Sequence, residues 1–181
     1  RDGFFGGRTN SIRLFYVCKE GEKIQYVDVT SLYPFIQKYK EYPIGQPVII
    51  RENFESIDKY FGMVKCKVLP PTDLQLPVLP MKGGGKLLFP LCSMCAQTEQ
   101  TALCQHSNEE RALDGTWVSV ELMKAVELGY TILEISEVWH FPNSSKYDAT
   151  TGEKGIFSEY INAFLKIKQE CSGWPDHVVT E

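Results

Sequence analysis

The sequence predicts an α+β fold, and three observations carry that expectation. Short runs of β-branched and aromatic residues come in pairs around polar, glycine-containing turns. Residues 62–68 alternate between apolar and polar side chains. Two other stretches space their apolar residues at helical intervals between start and stop signals.

The elements follow in order. Residues 12–17 (Ile-Arg-Leu-Phe-Tyr-Val) and 23–29 (Lys-Ile-Gln-Tyr-Val-Asp-Val) flank the turn Cys18–Glu22 and read as a hairpin, with Val27 and Val29 on one face. Ser31-Leu32-Tyr33-Pro34 leads into a short helix or turn through Tyr39. In the strand at 62–68, Val64, Cys66 and Val68 face inward, and Pro70-Pro71 ends it. Residues 76–81 and 86–91 flank Lys82-Gly83-Gly84-Gly85 as a second hairpin, held at a sheet edge by its prolines. Trp117 to Gly129 reads as a helix capped by Ser119, with Leu122, Ala125 and Val126 inward and Gly129 just past its end. A strand at 132–141 and a polar loop at 142–154 follow. The last helix, 156–171, sets Phe157, Tyr160, Ile161, Phe164 and Ile167 at helical spacing, and Ser172-Gly173 and Pro175 stop it.

Composition narrows the classes of function. With 181 residues, 43% hydrophobic and 23% charged, the chain is long enough to bury a sizeable core, and disordered or collagen-like readings fall away. No run approaches the ~20 apolar residues of a membrane-spanning helix, so no membrane partner is expected. The net charge of −4 argues against a basic surface that binds polyanions unaided, though not against a locally basic cleft. No secretory signal precedes the six cysteines, which implies an intracellular, reducing compartment and free thiols. The abrupt ends read as those of an excised piece of a longer protein.

Two constellations can carry chemistry. In Asp28-Val29-Thr30-Ser31-Leu32-Tyr33-Pro34 a carboxylate closes a strand and the chain turns tightly. Such a turn can aim backbone N–H groups at an anion while the carboxylate holds a divalent cation. The same spacing also suits a strand that ends in a solvated aspartate. The second is Cys92-x2-Cys95-x8-Cys104-x-His106, the Cys₃His ligand set of a structural Zn²⁺ site. Reduced cysteines beside a surface histidine are the alternative. The other thiols, Cys18, Cys66 and Cys171, read as buried and structural. His140 reads as a packed strand residue, His177 as part of a frayed tail, and Glu109-Glu110-Arg111 with Asp114 as a solvated turn or short helix. Lys82-Gly-Gly-Gly-Lys86 lacks the ending of a P-loop and reads as a turn.

Asp28 to Pro34 resembles motif A of family-B DNA polymerases, Asp-x-x-Ser-Leu-Tyr-Pro, with every specified residue present. Phe4-Phe5-Gly6-Gly7-Arg8 resembles the Tyr-x-Gly-Gly motif of the protein-primed branch, with Phe4 in place of the tyrosine. Residues 156–169 are similar to the first fingers helix, with Lys168 as the lysine toward the nucleotide phosphates. The wording around motif A looks closest to transposon or viral members. The resemblance implies a palm segment over 1–50, an inserted terminal-protein-region-like subdomain with the Cys/His cluster over 51–145, and a linker with the fingers helix over 146–181. It implies that Asp28 binds catalytic Mg²⁺ with the Val29 carbonyl assisting. Ser31, Leu32, Tyr33 and Lys168 would meet the deoxynucleoside triphosphate, and Phe4, Gly6, Gly7 and Arg8 the DNA template-primer. A priming terminal protein is the implied partner, and the nucleus the implied site of action in a eukaryotic host.

The family's motifs B and C and its exonuclease motifs are missing from this sequence. Two-metal phosphoryl transfer needs a second carboxylate source, so the chain alone is expected to be catalytically incomplete. The competing function class is a non-catalytic, zinc-stabilised binding module, a domesticated polymerase remnant.

Overall fold

The structure is a computed structural model that describes residues 2–9, 11 and 13–171. It is a mixed α/β structure whose sheets are all antiparallel. The chain divides into two compact units: residues 1–11 with 45–142, and residues 12–44 with 143–181. The Gly-Gly segment therefore belongs with the middle of the chain.

The first unit is built on a four-stranded sheet. Its strands are β2 (Val48–Ile50), β3 (Gly62–Leu69), β6 (Leu113–Val118) and β7 (Thr131–His140), in the order β2-β7-β3-β6. The alternation read for β3 holds: Val64, Cys66 and Val68 are buried. They meet Trp117 and Leu113 of β6 and Val138 of β7 in the core. Helix α4 (Ser119–Glu127) adds Leu122 and Ala125 to that core. Strand β7 carries two irregularities against β3, between Lys65 and Cys66 and between Lys67 and Val68. Each leaves one extra residue on β7, first Ser136 and then Leu133.

The connector from Pro70 to Pro80 is held across the core by side chains. Trp117 Nε1 donates to the Pro80 carbonyl at 2.9 Å, and the Tyr130 hydroxyl accepts from the Val78 N–H at 3.3 Å. The glycine hairpin follows as β4 (Met81–Gly83) and β5 (Lys86–Leu88), a separate two-stranded sheet narrower than expected.

Several expectations are corrected here. Trp117 belongs to β6, a strand the sequence reading missed, so the helix begins only at Ser119. The Ser119 hydroxyl does not cap it but accepts from the Gly62 N–H at 3.2 Å. Glu121 bonds the Val118 backbone instead, and burial raises its carboxyl pKa. Gly129 does follow the helix end with φ 90°, but Val126 is exposed. Cys66 is buried, with its thiol pushed up to about 12 by burial first and Asp114 second, whereas Cys18 and Cys171 are exposed. His140 is packed as expected: its Nδ1 accepts from the Phe61 N–H at 3.1 Å.

The second unit is smaller. Helix α1 (Leu32–Tyr39) leads to β1 (Tyr42–Ile44), which pairs with β8 (Asn143–Ser145). Strands β9 (Tyr147–Asp148) and β10 (Glu153–Lys154) form a short ladder inside the stretch read as loop, and α5 (Ser158–Cys171) follows. Aromatic contacts hold it together, Tyr39 on Tyr147 and Tyr42 on Phe157. The buried Lys38 ammonium lies 5.1 and 5.0 Å from the Tyr39 and Tyr147 rings.

The first hairpin did not form. Its turn exists, with the Glu22 N–H bonded to the Lys19 carbonyl at 3.0 Å and the Tyr16 hydroxyl to Glu22 at 2.6 Å. No described residue from 13 to 29 is in a strand. Leu14, Phe15, Val17, Ile24, Tyr26, Val27 and Val29 are exposed, and a two-stranded ribbon without a covered apolar face is marginal in water. In α5 only Ile161 and Ser158 are buried, while Tyr160, Phe164 and Ile167 are exposed. The stop signals of this helix, His177 and the chain's last residues lie outside the described residues.

Gly62 opens β3 at φ 151°, and a Cβ there would stand 2.0 Å from the Trp139 carbonyl oxygen. Gly62→Ala is therefore expected to cost about 2–4 kcal/mol, read from the denaturation midpoint. Gly6→Ala, with open space around its Cβ, should leave that midpoint within about 0.5 kcal/mol.

Candidate functional site

In the Asp28 to Pro34 turn the chain reverses through Ser31, a non-glycine residue at φ 56°, ψ 35°. Left-handed backbone is disfavoured for a side chain with a Cβ and often marks a constrained functional position. The turn is closed by the Leu32 N–H on the Val29 carbonyl at 3.3 Å, and the Phe35 N–H bonds the Ser31 carbonyl at 2.9 Å. Pro34 fits the first turn of α1 because no intrahelical partner awaits its missing N–H there. Asp28, Val29, Leu32 and Tyr33 are exposed, and Ser31 is half-buried. Lys168, in the last turn of α5, is exposed.

The Gly-Gly segment lies in the first unit. Phe4 is 66% exposed, whereas Phe5 packs against the core beneath the Lys82 ammonium at 5.2 Å. The Arg8 guanidinium stacks 4.5 Å over the Phe89 ring and donates 2.6 Å to the Pro77 carbonyl, while Arg8 as a whole stays exposed.

The Cys/His cluster is the best-formed constellation. Cys92 caps α2 (Ser93–Gln97), its sulfur accepting from the Cys95 N–H at 3.4 Å. This turn sets two thiols on one side. The chain returns through Cys104 and reaches His106 just before α3 (Asn108–Arg111), which Ser107 and Glu110 cap reciprocally. The His106 Nδ1 lies 3.4, 3.3 and 3.6 Å from the sulfurs of Cys92, Cys95 and Cys104. A tetrahedral ion with Zn–S of ~2.3 Å and Zn–N of ~2.0–2.1 Å separates sulfur from nitrogen by about 3.5 Å. The four ligand atoms lie within 4.8 Å of one another, so the donor set and spacing fit one metal ion bound through Nδ1. Among the described residues no other group of three or more potential ligands comes together, and Asp28 belongs to none.

The thiols differ in acidity. Lost solvation, then hydrogen bonds to Cys104 and Cys92, push Cys95 up to about 12. The His106 backbone N–H, then its ring, bring Cys104 down to about 7.

Comparison with known proteins decides the family. The model of the type-B DNA polymerases of organelles and viruses matches residues 1–177. The chain belongs to that family. A "Probable DNA polymerase" of Neurospora intermedia is 28% identical over 178 residues, 92% of this chain but 15% of that protein. The chain thus spans a small part of that relative's length. No solved structure matches it.

Within this family-B chain the structure separates what the sequence listed together. Motif A and Lys168 fall in the second unit, the Gly-Gly segment and the Cys/His cluster in the first. Among the described residues no helix is long and apolar enough to cross a membrane. Sequence reasoning missed Arg111. It is 8% exposed, and one of its terminal nitrogens donates to the carbonyls of Pro70 (2.8 Å), Pro71 (2.9 Å) and Leu91 (3.4 Å). The Ser107-x-x-Glu110 capping pattern announces its helix, but nothing local announces that it turns inward.

Metal binding must displace the thiol protons. Affinity for Zn²⁺ is therefore expected to weaken as pH falls. The fall should steepen below about 7, where the metal-free Cys104 thiol also holds a proton. Competition with a chromophoric chelator between pH 8 and 6 reads both slopes.

Proposed function

We propose that this chain is part of a DNA-directed DNA polymerase of the protein-primed kind. In it, residues 1–50 form a palm segment, residues 51–145 an inserted terminal-protein-region-like subdomain, and residues 146–181 a linker and the first fingers helix. The observation that carries the reading is the complete motif A on a left-handed Ser31 turn, in a chain whose family is established. Supporting it, the described relative is named a probable DNA polymerase and is far longer than this chain.

Asp28 would hold Mg²⁺ with the Val29 carbonyl, and the ion's chemistry is to neutralise charge on the transferring phosphoryl group. One carboxylate cannot hold a metal pair, so this chain by itself should be inactive. Ser31 and Leu32 help build the nucleotide pocket in a turn whose backbone N–H groups meet the triphosphate, Tyr33 lies under the sugar, and Lys168 brings a point charge to the phosphates. Phe4, Gly6, Gly7 and Arg8 face the template-primer. A priming terminal protein and a transposon or viral genome complete the proposal. The six free thiols are consistent with a reducing compartment.

The ion of the Cys/His cluster is Zn²⁺, in a structural role, because four protein ligands leave no open position for substrate. The cluster also favours a second reading, a non-catalytic zinc-stabilised binding module.

Substitutions in the full-length polymerase separate the two. Asp28→Asn is expected to lower nucleotide incorporation on the order of 10³-fold with DNA binding retained. Wild-type extension by that variant would remove Asp28 from the mechanism and leave the binding module. Tyr33→Val should raise ribonucleotide use in a competition assay, whereas a Tyr33 that merely packs would leave sugar choice unchanged. Lys168→Ala should weaken apparent nucleotide affinity without altering template binding.

A further inference from the structure

Two guanidinium groups gather the backbone between β3 and α2. Arg111 holds the carbonyls of Pro70, Pro71 and Leu91, and Arg8 holds that of Pro77 while stacking on Phe89. The Cys/His cluster closes the same circuit. Leu91 precedes the ligand Cys92, and the ligand His106 precedes Ser107, which caps the helix carrying Arg111.

Phe89 sits in the middle of this arrangement. On one side it follows β5, half of a hairpin with three residues per strand, which has little stability of its own. On the other side lie Pro90, whose ring fixes φ, and then Leu91 and Cys92. The stretch that returns to Cys104 supplies little burial, since residues 97–105 are all exposed and Leu103 is 85% exposed. The loop holding the Cys92 end of Phe89's segment therefore depends on its side-chain ligands for order.

We infer that the metal-held knuckle is the positioning device for Arg8: metal at Cys92, Cys95, Cys104 and His106 fixes the Phe89 ring, and the ring seats the guanidinium. Arg8, exposed in that seat, is then the cation that the Gly-Gly segment offers to an anion of the nucleic-acid backbone, for which arginine's planar fork is suited. The inference rests on the Zn²⁺ reading above and adds to it a coupling between the metal and the Gly-Gly segment.

Coupling is reciprocal, so disturbing the seat must weaken the metal. Zn²⁺ affinity of the 181-residue chain would be measured by chelator competition for the wild type, Arg8→Ala, Phe89→Leu and Lys86→Ala. Arg8→Ala and Phe89→Leu are expected to bind about five- to tenfold more weakly. Lys86→Ala, which removes an exposed charge from β5, should match the wild type. Phe89→Leu changes no charge, so its loss cannot be a long-range electrostatic effect. A second readout is the ring-current shift of the Arg8 side-chain protons, assigned by Arg8→Lys. It should collapse when Zn²⁺ is withdrawn, while the methyl signals of Val64, Leu122 and Val138 keep their positions.

Equal affinities in all four proteins would overturn the coupling and leave the metal site standing. A ring-current shift that survives metal removal would do the same. A chain that takes up no Zn²⁺ would overturn both.

Discussion

The first unit depends on β3. It is hydrogen-bonded on both sides, to β6 and to β7, and its inward residues Val64, Cys66 and Val68 are all but inaccessible to solvent. Each of the three faces a residue of both neighbours, so a fault in its register would move the whole inner face of the sheet. Its ends are fixed as firmly as its middle. Gly62 passes close to the Trp139 carbonyl and donates to Ser119, tying the strand's start to that of α4. Beyond its end, Pro70 and Pro71 give their carbonyls to Arg111. Through Arg111 that end is also tied to Leu91, next to the Cys/His cluster.

What was legible in the sequence follows from what local pattern can encode. The alternation in β3, the glycine hairpin and the Cys-x2-Cys turn are short-range signals, and each is present in the structure. The error at Trp117 has a long-range cause. Its indole is used to bond the Pro80 carbonyl, and that contact lies 37 residues away. Ser119 misled for a similar reason, because its hydroxyl serves Gly62 of another element rather than its own helix. The hairpin at 12–29 shows the opposite limit: propensity and a good turn are present, yet none of the described residues covers the apolar side.

The candidate sites divide in the same way. The motif A pattern is readable because it lies in consecutive residues, and the candidate Cys/His cluster because Cys and His are few. Arg8 was named for a motif, but its partners Phe89 and Pro77 come from distant parts of the chain. Arg111 was taken for a solvated residue, since a cation surrounded by carbonyl oxygens can be buried without an acidic partner to betray it.

The two bulges of β7 change how this strand should be compared with its relatives. With Ser136 and Leu133 as extra residues, the inward positions are Val138, Ile135 and Ile132, spaced by three rather than two. Ten residues thus span what β3 covers in eight. Each bulge shifts the phase of the strand by one, and the second cancels the first. Losing Leu133 or Ser136 alone would exchange the faces of every residue beyond it, whereas losing both would leave the two ends in step. Length variation in this strand should therefore be tolerated in pairs, and an alignment scored on simple alternation will run one residue out between the bulges.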